Sequence, residues 1–399
     1  MSSILTHTND LYLHADGDSF FVACELTLQP ELRGRPVIVG EDRGIAVAMS
    51  MEAKKLGVTR GMPTFQIKKL YPEVVILSHH FDLYHEISEK MHQILSSYAD
   101  RVEQYSIDEC FARVRPAEIK YFGGEEKFIA ELKNEIEKTL GVTYSFGLAR
   151  TKALAKLASK LEKPNGSVIL LSSVDEIRAL EATPIDDIWG IGNKSIPTLE
   201  RLGMKTAYDF VKFSRKEIEK RFSRPMVDLH KELGGENVLE VESDADPRDQ
   251  HSIQSTSTFR PASTDPKIIW REISENAEHA CENTRALRLV SNKISFFVKT
   301  SEFKYHFDEV KLGSFTSDPG IVLNAIESRF LKILPKRQRI RSTGVILHHL
   351  TREEKIPMDL FGKQEKAMKG TAVEEVADRI REKFGNDSIL RAASLKIKK

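Results

Sequence analysis

The sequence predicts an α+β chain of several domains, and three observations carry that prediction: its length, the alternation of β-type with helical runs over the first 165 residues, and the return of strands beyond residue 250. At 399 residues the chain exceeds one ordinary core, and a prior of about 100 to 200 residues per domain gives two to four units. With 40% hydrophobic and 30% charged residues it has the apolar content of a folded protein.

The β-type runs are LYLHAD (11–16), RPVIVG (35–40), VVIL (74–77), the hairpin EQYSIDECFARV (103–114) and VTYSFGLA (142–149). Helical spacing falls between them at 19–27, 51–56, 63–70, 81–98 and 125–140, which together predict a mixed α and β domain. Lys152, Lys156 and Lys160 then recur every four residues on a helix, a candidate basic patch, with Lys163 just beyond and the KPNG turn at 163–166 ending it. Short helical patterns from Val174 to about Leu233 predict a small helical module. The stretch 240–250 is acidic and polar, the composition of a tether. From Ser252 to Leu350, four strands (STSTF, NKISFFVKT, HFDEVKLGSF, RSTGVILHHL) and two helices, about Trp270–Leu289 and Ile321–Leu334, predict one compact sheet domain. The remainder holds IPMDLFG (356–362) and a helix from about Val373 to Phe384. No repeat of 20 to 50 residues is present.

The N-terminal residues lack the basic and apolar regions of a signal peptide, and no apolar run approaches the roughly 18 residues of a membrane span, so a cytoplasmic protein without a membrane partner is expected. Cys24, Cys110 and Cys281 are odd in number and far apart, which fits neither a disulfide framework nor a zinc site and predicts buried apolar roles. A net charge of +1 announces no nucleic-acid partner by itself, so local clusters must carry that case. One is Lys332, Lys336, Arg337, Arg339 and Arg341 around Pro335.

Two acidic segments carry the chemistry. LYLHAD ends in Asp16-Gly17-Asp18, and the later hairpin bears Asp108-Glu109 near its turn. Acidic ends of two adjacent strands would concentrate negative charge at one point and call for a cation. Mg²⁺ takes oxygen ligands shared between carboxylates and phosphates, and two such ions about 3.5 to 4 Å apart support in-line phosphoryl transfer. Alone, each pair is more commonly a turn or a solvated hairpin, and spacing does not separate the readings.

The run HADGDSFFVACE (14–25) resembles the opening motif of Y-family translesion polymerases, and YSIDEC (105–110) resembles their second motif. EAKKLGVTRGMP (52–63), SFGLARTKALAKLASKLEKPNG (145–166) and IWGIGNKSIPTLERLGMKTAYDF (188–210) follow in the family's order, nearest to its bacterial DinB (DNA polymerase IV) and UmuC branches. The resemblance covers nearly the whole chain. It implies a right-hand polymerase: a ferredoxin-like palm (1–18 and 78–166), small fingers (19–77), a helix-hairpin-helix thumb (167–235), a linker (236–250), a four-stranded α/β little finger (251–350) and a tail (351–399).

Carried over by position, the resemblance implies that Asp16, Asp108 and Glu109 are catalytic metal ligands for two Mg²⁺ ions, with Mn²⁺ as a substitute, and that the Gly17 carbonyl supplies a further oxygen. Asp18 is expected to give structural support. Phe20, Phe21, Lys54 and Lys163 would contact the nucleotide, Phe21 as the steric gate against ribonucleotides and Lys163 on the triphosphate. Lys54 stands where relatives often carry Arg, and Met51 where many carry a phosphate-binding Tyr, as UmuC-type members also do not.

Gly190, Gly192 and Lys194 would hold DNA phosphate in the hairpin of the thumb. Strand alternation would put Arg337, Arg339 and Arg341 on one face for a second phosphate contact. IPMDLFG resembles a sliding-clamp peptide with Met358, Leu360 and Phe361 as anchors and Pro357 in place of its Gln. The expected partners are primer-template DNA, dNTPs, the replication clamp and UmuD-type or recombinase proteins, and the expected state is a monomer. The expected activity is low-fidelity translesion synthesis. Its rivals are a polymerase-like adapter without catalysis, and a nucleotide cyclase, for which no GGDEF-like hairpin is found.

Overall fold

In the computed structural model, which describes residues 10–41, 44–243, 246, 248–356, 363–385, 388–389 and 391, the chain forms two units, Met1–Asp244 and Ala245–Lys399. The first begins with β1 (Leu11–Gly17), α1 (Phe20–Leu28), β2 (Val37–Val39), β3 (Ala48–Met49), α2 (Met51–Lys55), α3 (Thr64–Leu70) and β4 (Val75–Leu77). It continues with α4 (Phe81–Tyr98), β5 (Arg101–Gln104), β6 (Glu109–Val114), α5 (Pro116–Phe122), α6 (Glu125–Leu140), β7 (Tyr144–Ala149), α7 (Lys152–Leu161) and β8 (Ser167–Leu170). Five helices close it: α8 (Ser173–Ala182), α9 (Ile196–Arg201), α10 (Ala207–Lys212), α11 (Arg215–Arg221) and α12 (Arg224–Leu233).

Five strands form one sheet in the order β5-β6-β1-β7-β8, with β1 at its centre and antiparallel to both neighbours. The two-residue period of β1 then sorts its side chains. Leu13 and Ala15 enter a core with Ile87, Met91 and Leu95 of α4 and Phe128, Leu132 and Ile136 of α6. Their neighbours Tyr12 and His14 face α7 on the other side. On α4 and α6 those apolar residues recur every three or four positions, so one face of each helix is buried. Helix α7 is buried from Lys152 to Ser159, and it lies so close on β7 that a Cβ on Gly147 would stand 2.1 Å from the Ala155 carbonyl oxygen. Only glycine allows that approach. Helices α8 to α12 share the α7 core through residues such as Leu180, Leu199, Phe210 and Leu229.

A three-stranded sheet in the order β3-β2-β4 lies between α1 and α4 in sequence. Beyond α12, residues 237–242 are tied to this unit: Val241 is buried, Lys152 Nζ donates to the Glu240 carbonyl at 3.0 Å, and Glu242 N donates to Glu103 Oε2 at 2.8 Å.

In the second unit the order is β9 (Ser252–Ser263), α13 (Pro266–Ala286), β10 (Leu289–Thr300), β11 (Tyr305–Thr316), α14 (Pro319–Ile333), β12 (Ile340–His348), β13 (Thr351–Arg352) and α15 (Lys363–Phe384). The sheet runs β11-β10-β12-β9, antiparallel throughout. Ile273 and Ala277 of α13 and Val322 and Ile326 of α14 pack on its inner face with Ile294, Phe296 and Val345. The opposite face is open, with Phe303, Tyr305 and Phe307 exposed. Gln364 of α15 bonds to edge strand β11 twice, donating to the Phe315 carbonyl at 2.7 Å and accepting from Phe315 N at 2.9 Å. The buried Arg285 guanidinium pairs with Asp378 of α15 at 2.6 and 2.9 Å.

Several expectations need correction. Helix α13 spans 266–286 rather than 270–289, because Asp265 caps it by accepting from Lys267 N and Leu289 already begins β10. Helix α15 starts at Lys363, not about Val373, and β3, α5 and β8 were not foreseen. Among the described residues no helix is long and apolar enough to cross a membrane. All three cysteines are free and buried, as expected.

Candidate active site

The acidic segments meet at the end of the central strand. Asp16 and Glu109 are direct partners in the β1/β6 register, and Gly17 N donates to the Asp108 carbonyl at 2.9 Å. Asp108 Oδ1 accepts from Ser106 Oγ at 2.8 Å, so the turn between β5 and β6 is pinned from within. Asp18 is buried and structural: Ser145 Oγ donates to Oδ1 at 2.7 Å and Asn165 N to Oδ2 at 2.8 Å. The second of these bonds fixes the 163–166 turn beside β1.

Asp16 and Glu109 each have an ammonium partner. Lys163 Nζ lies 2.5 Å from Asp16 Oδ1, and Lys156 Nζ lies 2.5 Å from Glu109 Oε2. Burial pushes the Asp16 carboxyl up, against the pull of Lys163. For Glu109 burial acts the same way but is outweighed by His14 and Lys156, and its pKa falls to about 2. Of these two only Lys156 is within hydrogen-bond reach, since His14 Nε2 stands 3.8 Å from Glu109 Oε2. His14 itself is fully buried, bonds through Nδ1 to Ser159 Oγ at 2.7 Å, and is held neutral by desolvation, with a pKa of about 4.

Sequence reasoning missed this layer and assigned Lys152 and Lys156 to an exposed basic patch. Both are buried. Lys152 pairs with Glu103 at 2.7 Å, and the Lys156 ammonium sits over the rings of Tyr105 (4.5 Å), Trp189 (5.4 Å) and Phe111 (5.8 Å). The period of four was visible; the acidic partners come from strands nearly fifty residues away and were not.

These groups floor a cavity of about 750 Å³ whose walls include Phe21, Met51, Lys54, Arg60 and Lys163. Phe21 stacks on Tyr84 at 4.5 Å with Phe81 edge-on at 6.0 Å, so its ring cannot retreat. Phe20 is 4% exposed, with its ring near Tyr144; both rings line the cavity, and Phe21 is the more exposed of the pair. Behind them the buried Glu25 accepts from Tyr84 Oη and from His80 N, which ties α1 to α4. Arg60, not anticipated, is oriented by its Nε bond to the Val47 carbonyl at 2.8 Å.

The oxygen donors of Asp16, Asp108, Glu109 and the Gly17 carbonyl suit a hard divalent cation, and the ammonium groups on Asp16 and Glu109 mark these carboxylates as cation partners. As they stand, no three acidic or His side chains among the described residues are gathered closely enough to hold an ion.

Elsewhere in the first unit, Gly190 turns with φ +86° between Ile188 and Ile191, Gly192 has open space where a Cβ would be, and Lys194 is exposed. In the second unit the alternation expected for Arg337, Arg339 and Arg341 fails. Strand β12 begins only at Ile340, Arg337 is in a turn with φ +62°, and Arg339 Nε donates to the Ala262 carbonyl. Arg341 does lie on the open face, its guanidinium 4.6 Å from the Phe303 ring centre. Met358, Leu360 and Phe361 lie outside the described residues.

A sheet that presents acidic strand ends under a cationic, aromatic-walled cavity suits phosphoryl-transfer chemistry, and comparison with known proteins gives the family. Residues 15–160 match the impB/mucB/samB family and residues 250–360 match that family's C-terminal domain. The chain belongs to this family, the Y-family translesion DNA polymerases. It is 31% identical to DNA polymerase IV of Desulfatibacillum aliphaticivorans over 97% of each chain. It is 32% identical to protein UmuC of Salmonella typhimurium over 95% of this chain and 92% of that one. A Y-family DNA polymerase chimera of Dbh and Dpo4 shares the fold, with a TM-score of 0.72 at 23% identity over 86% of this chain and all of the other.

Proposed function

We propose that this DNA-directed DNA polymerase performs low-fidelity translesion synthesis by two-cation nucleotidyl transfer at Asp16, Asp108 and Glu109. The observation that carries the proposal is the β1/β6 register, which makes Asp16 and Glu109 partners and joins Gly17 to Asp108 at the floor of the nucleotide-sized cavity. Two Mg²⁺ ions, held by the three carboxylates and the Gly17 carbonyl, would supply activation of the primer 3′ hydroxyl and charge neutralisation on the pyrophosphate. The chain's own residues do the rest. Glu109 remains ionised at neutral pH. Lys163, Lys54 and Arg60 offer positive charge to the triphosphate. Phe21, braced by Tyr84, fills the space a 2′ hydroxyl would need.

Primer-template DNA would be held through Gly190, Gly192 and Lys194 and, in the second unit, through Arg341 and its neighbours. The division into palm, fingers, thumb, little finger and tail belongs to the same proposal, as does a clamp tether through Met358, Leu360 and Phe361, which would offset a weak grip on DNA by raising effective concentration. Short fingers leave the nascent pair loosely enclosed, so geometric checking is weak. The inactive-adapter reading is disfavoured because all three carboxylates are retained.

The test is primer extension with Mg²⁺ across an abasic site and a bulky guanine adduct, comparing the wild type with Asp108→Ala plus Glu109→Ala. Extension by the wild type alone is expected. Extension surviving in the double variant refutes the assignment.

A further inference from the structure

We infer that Lys163 is a movable counter-ion that keeps Asp16 closed to divalent cations until a nucleotide triphosphate draws it away, so that cation binding at Asp16 waits on the nucleotide. The inference rests on the polymerase reading above and adds an order of events to it.

Two ammonium groups pair with carboxylates on the floor of the site, and they are held very differently. Lys156 has 6% of its side chain exposed and is enclosed by Tyr105, Trp189 and Phe111, so it is a permanent partner of Glu109. Lys163 has 31% of its side chain exposed and stands on the wall of the open cavity. The backbone of its turn is anchored, because Asn165 N is bound to Asp18. Rotation about the four-carbon stem is therefore enough to carry Nζ from Asp16 toward a ligand in the cavity.

The energetics give the direction. Asp16 has 10% of its side chain exposed, and a buried carboxylate is costly when unpaired. A cation arriving alone must evict an ammonium already 2.5 Å from the oxygen it needs. A triphosphate carries several negative charges and competes for Lys163 more strongly than one carboxylate does. Once it has captured Lys163, Asp16 is left as an uncompensated buried anion that favours a cation. Nucleotide and cation binding are thereby coupled with positive sign, each strengthening the other. That the acidic side chains are not gathered for an ion as they stand fits the closed state.

The test is a Mn²⁺ titration of the full-length protein without DNA or nucleotide, with free Mn²⁺ followed by its electron paramagnetic resonance signal. Lys163→Met and Lys163→Gln are expected to bind Mn²⁺ on the order of 10-fold more tightly than the wild type, while Lys163→Arg, which keeps the charge, stays near the wild type. In primer extension the Met variant is expected to show a raised KM for dNTP. Tighter cation binding with weaker nucleotide use is a pair of opposite signs that general loosening of the site would not produce. If Asp16→Asn abolishes the Mn²⁺ site but the Met and Gln variants bind no more tightly than the wild type, the counter-ion role is overturned and the polymerase reading stands. If adding Asp16→Asn to Lys163→Met leaves the tightened Mn²⁺ binding unchanged, Asp16 is not a cation ligand and both fail.

Discussion

Lys156→Met offers a quantitative test of how the active-site floor is held. The substitution keeps the stem and removes the charge, leaving Glu109 ionised with its remaining neighbour, His14, 3.8 Å away and neutral. Breaking one side of a buried ion pair costs about 3 to 5 kcal/mol. Glu109 keeps 20% of its side chain exposed, which favours the lower end, about 3 kcal/mol. For a cooperative unit of this size about 2 to 4 °C are lost per kcal/mol, so the melting temperature of the first unit should fall by about 6 to 12 °C. The assay is calorimetry at pH 7 without divalent cations, run as a double-mutant cycle with Glu109→Gln. Because the double variant contains neither charge, it should recover about 2 kcal/mol relative to the sum of the single costs. Additive losses would refute the claim that Lys156 acts through Glu109 and would leave only its packing against the three rings.

Three further outcomes are expected. Phe21→Ala should raise ribonucleotide incorporation at least 10-fold in primer extension with rNTPs; because Phe21 also stacks on Tyr84, a modest fall in melting temperature should accompany it. For His14 the unfolded chain binds a proton below the ordinary value of 6.5, whereas the folded protein resists until about 4. Stability is therefore full above pH 6.5 and falls by about 3 kcal/mol as pH drops through that window; urea titrations should show the slope and His14→Gln should flatten it. Finally, Lys194→Ala should weaken DNA binding about equally across sequences and reduce the slope of log affinity against log salt by about 1.

Much of the scaffold was legible because it repeats at the period of its elements. Strand β1 and helices α4 and α6 fall where apolar spacing of two or of three to four put them, and the family motifs led to Asp16, Asp108 and Glu109. The sequence was less informative where one long-range partner decides the outcome. Lys156 looks like a surface lysine until β6 supplies Glu109, and His14 looks like any strand residue until Ser159 meets it. Strand β8 has only four residues and pairs in parallel with β7, so no hairpin signal announced it. The arginine cluster failed for a local reason: alternation presumes extended backbone, and Arg337 has a left-handed one.

The last described helix also bears on how the second unit ends. The Gln364 amide meets Phe315 with one donor and one acceptor, as the main chain of an adjacent strand would, and so caps an otherwise open border of the sheet against foreign strands. Asp378 meanwhile neutralises Arg285, which is 6% exposed. A fragment trimmed after β12 would thus uncover a sticky backbone rim and strand a cation in its interior, and such a truncation is expected to self-associate rather than behave as a minimal DNA-binding module.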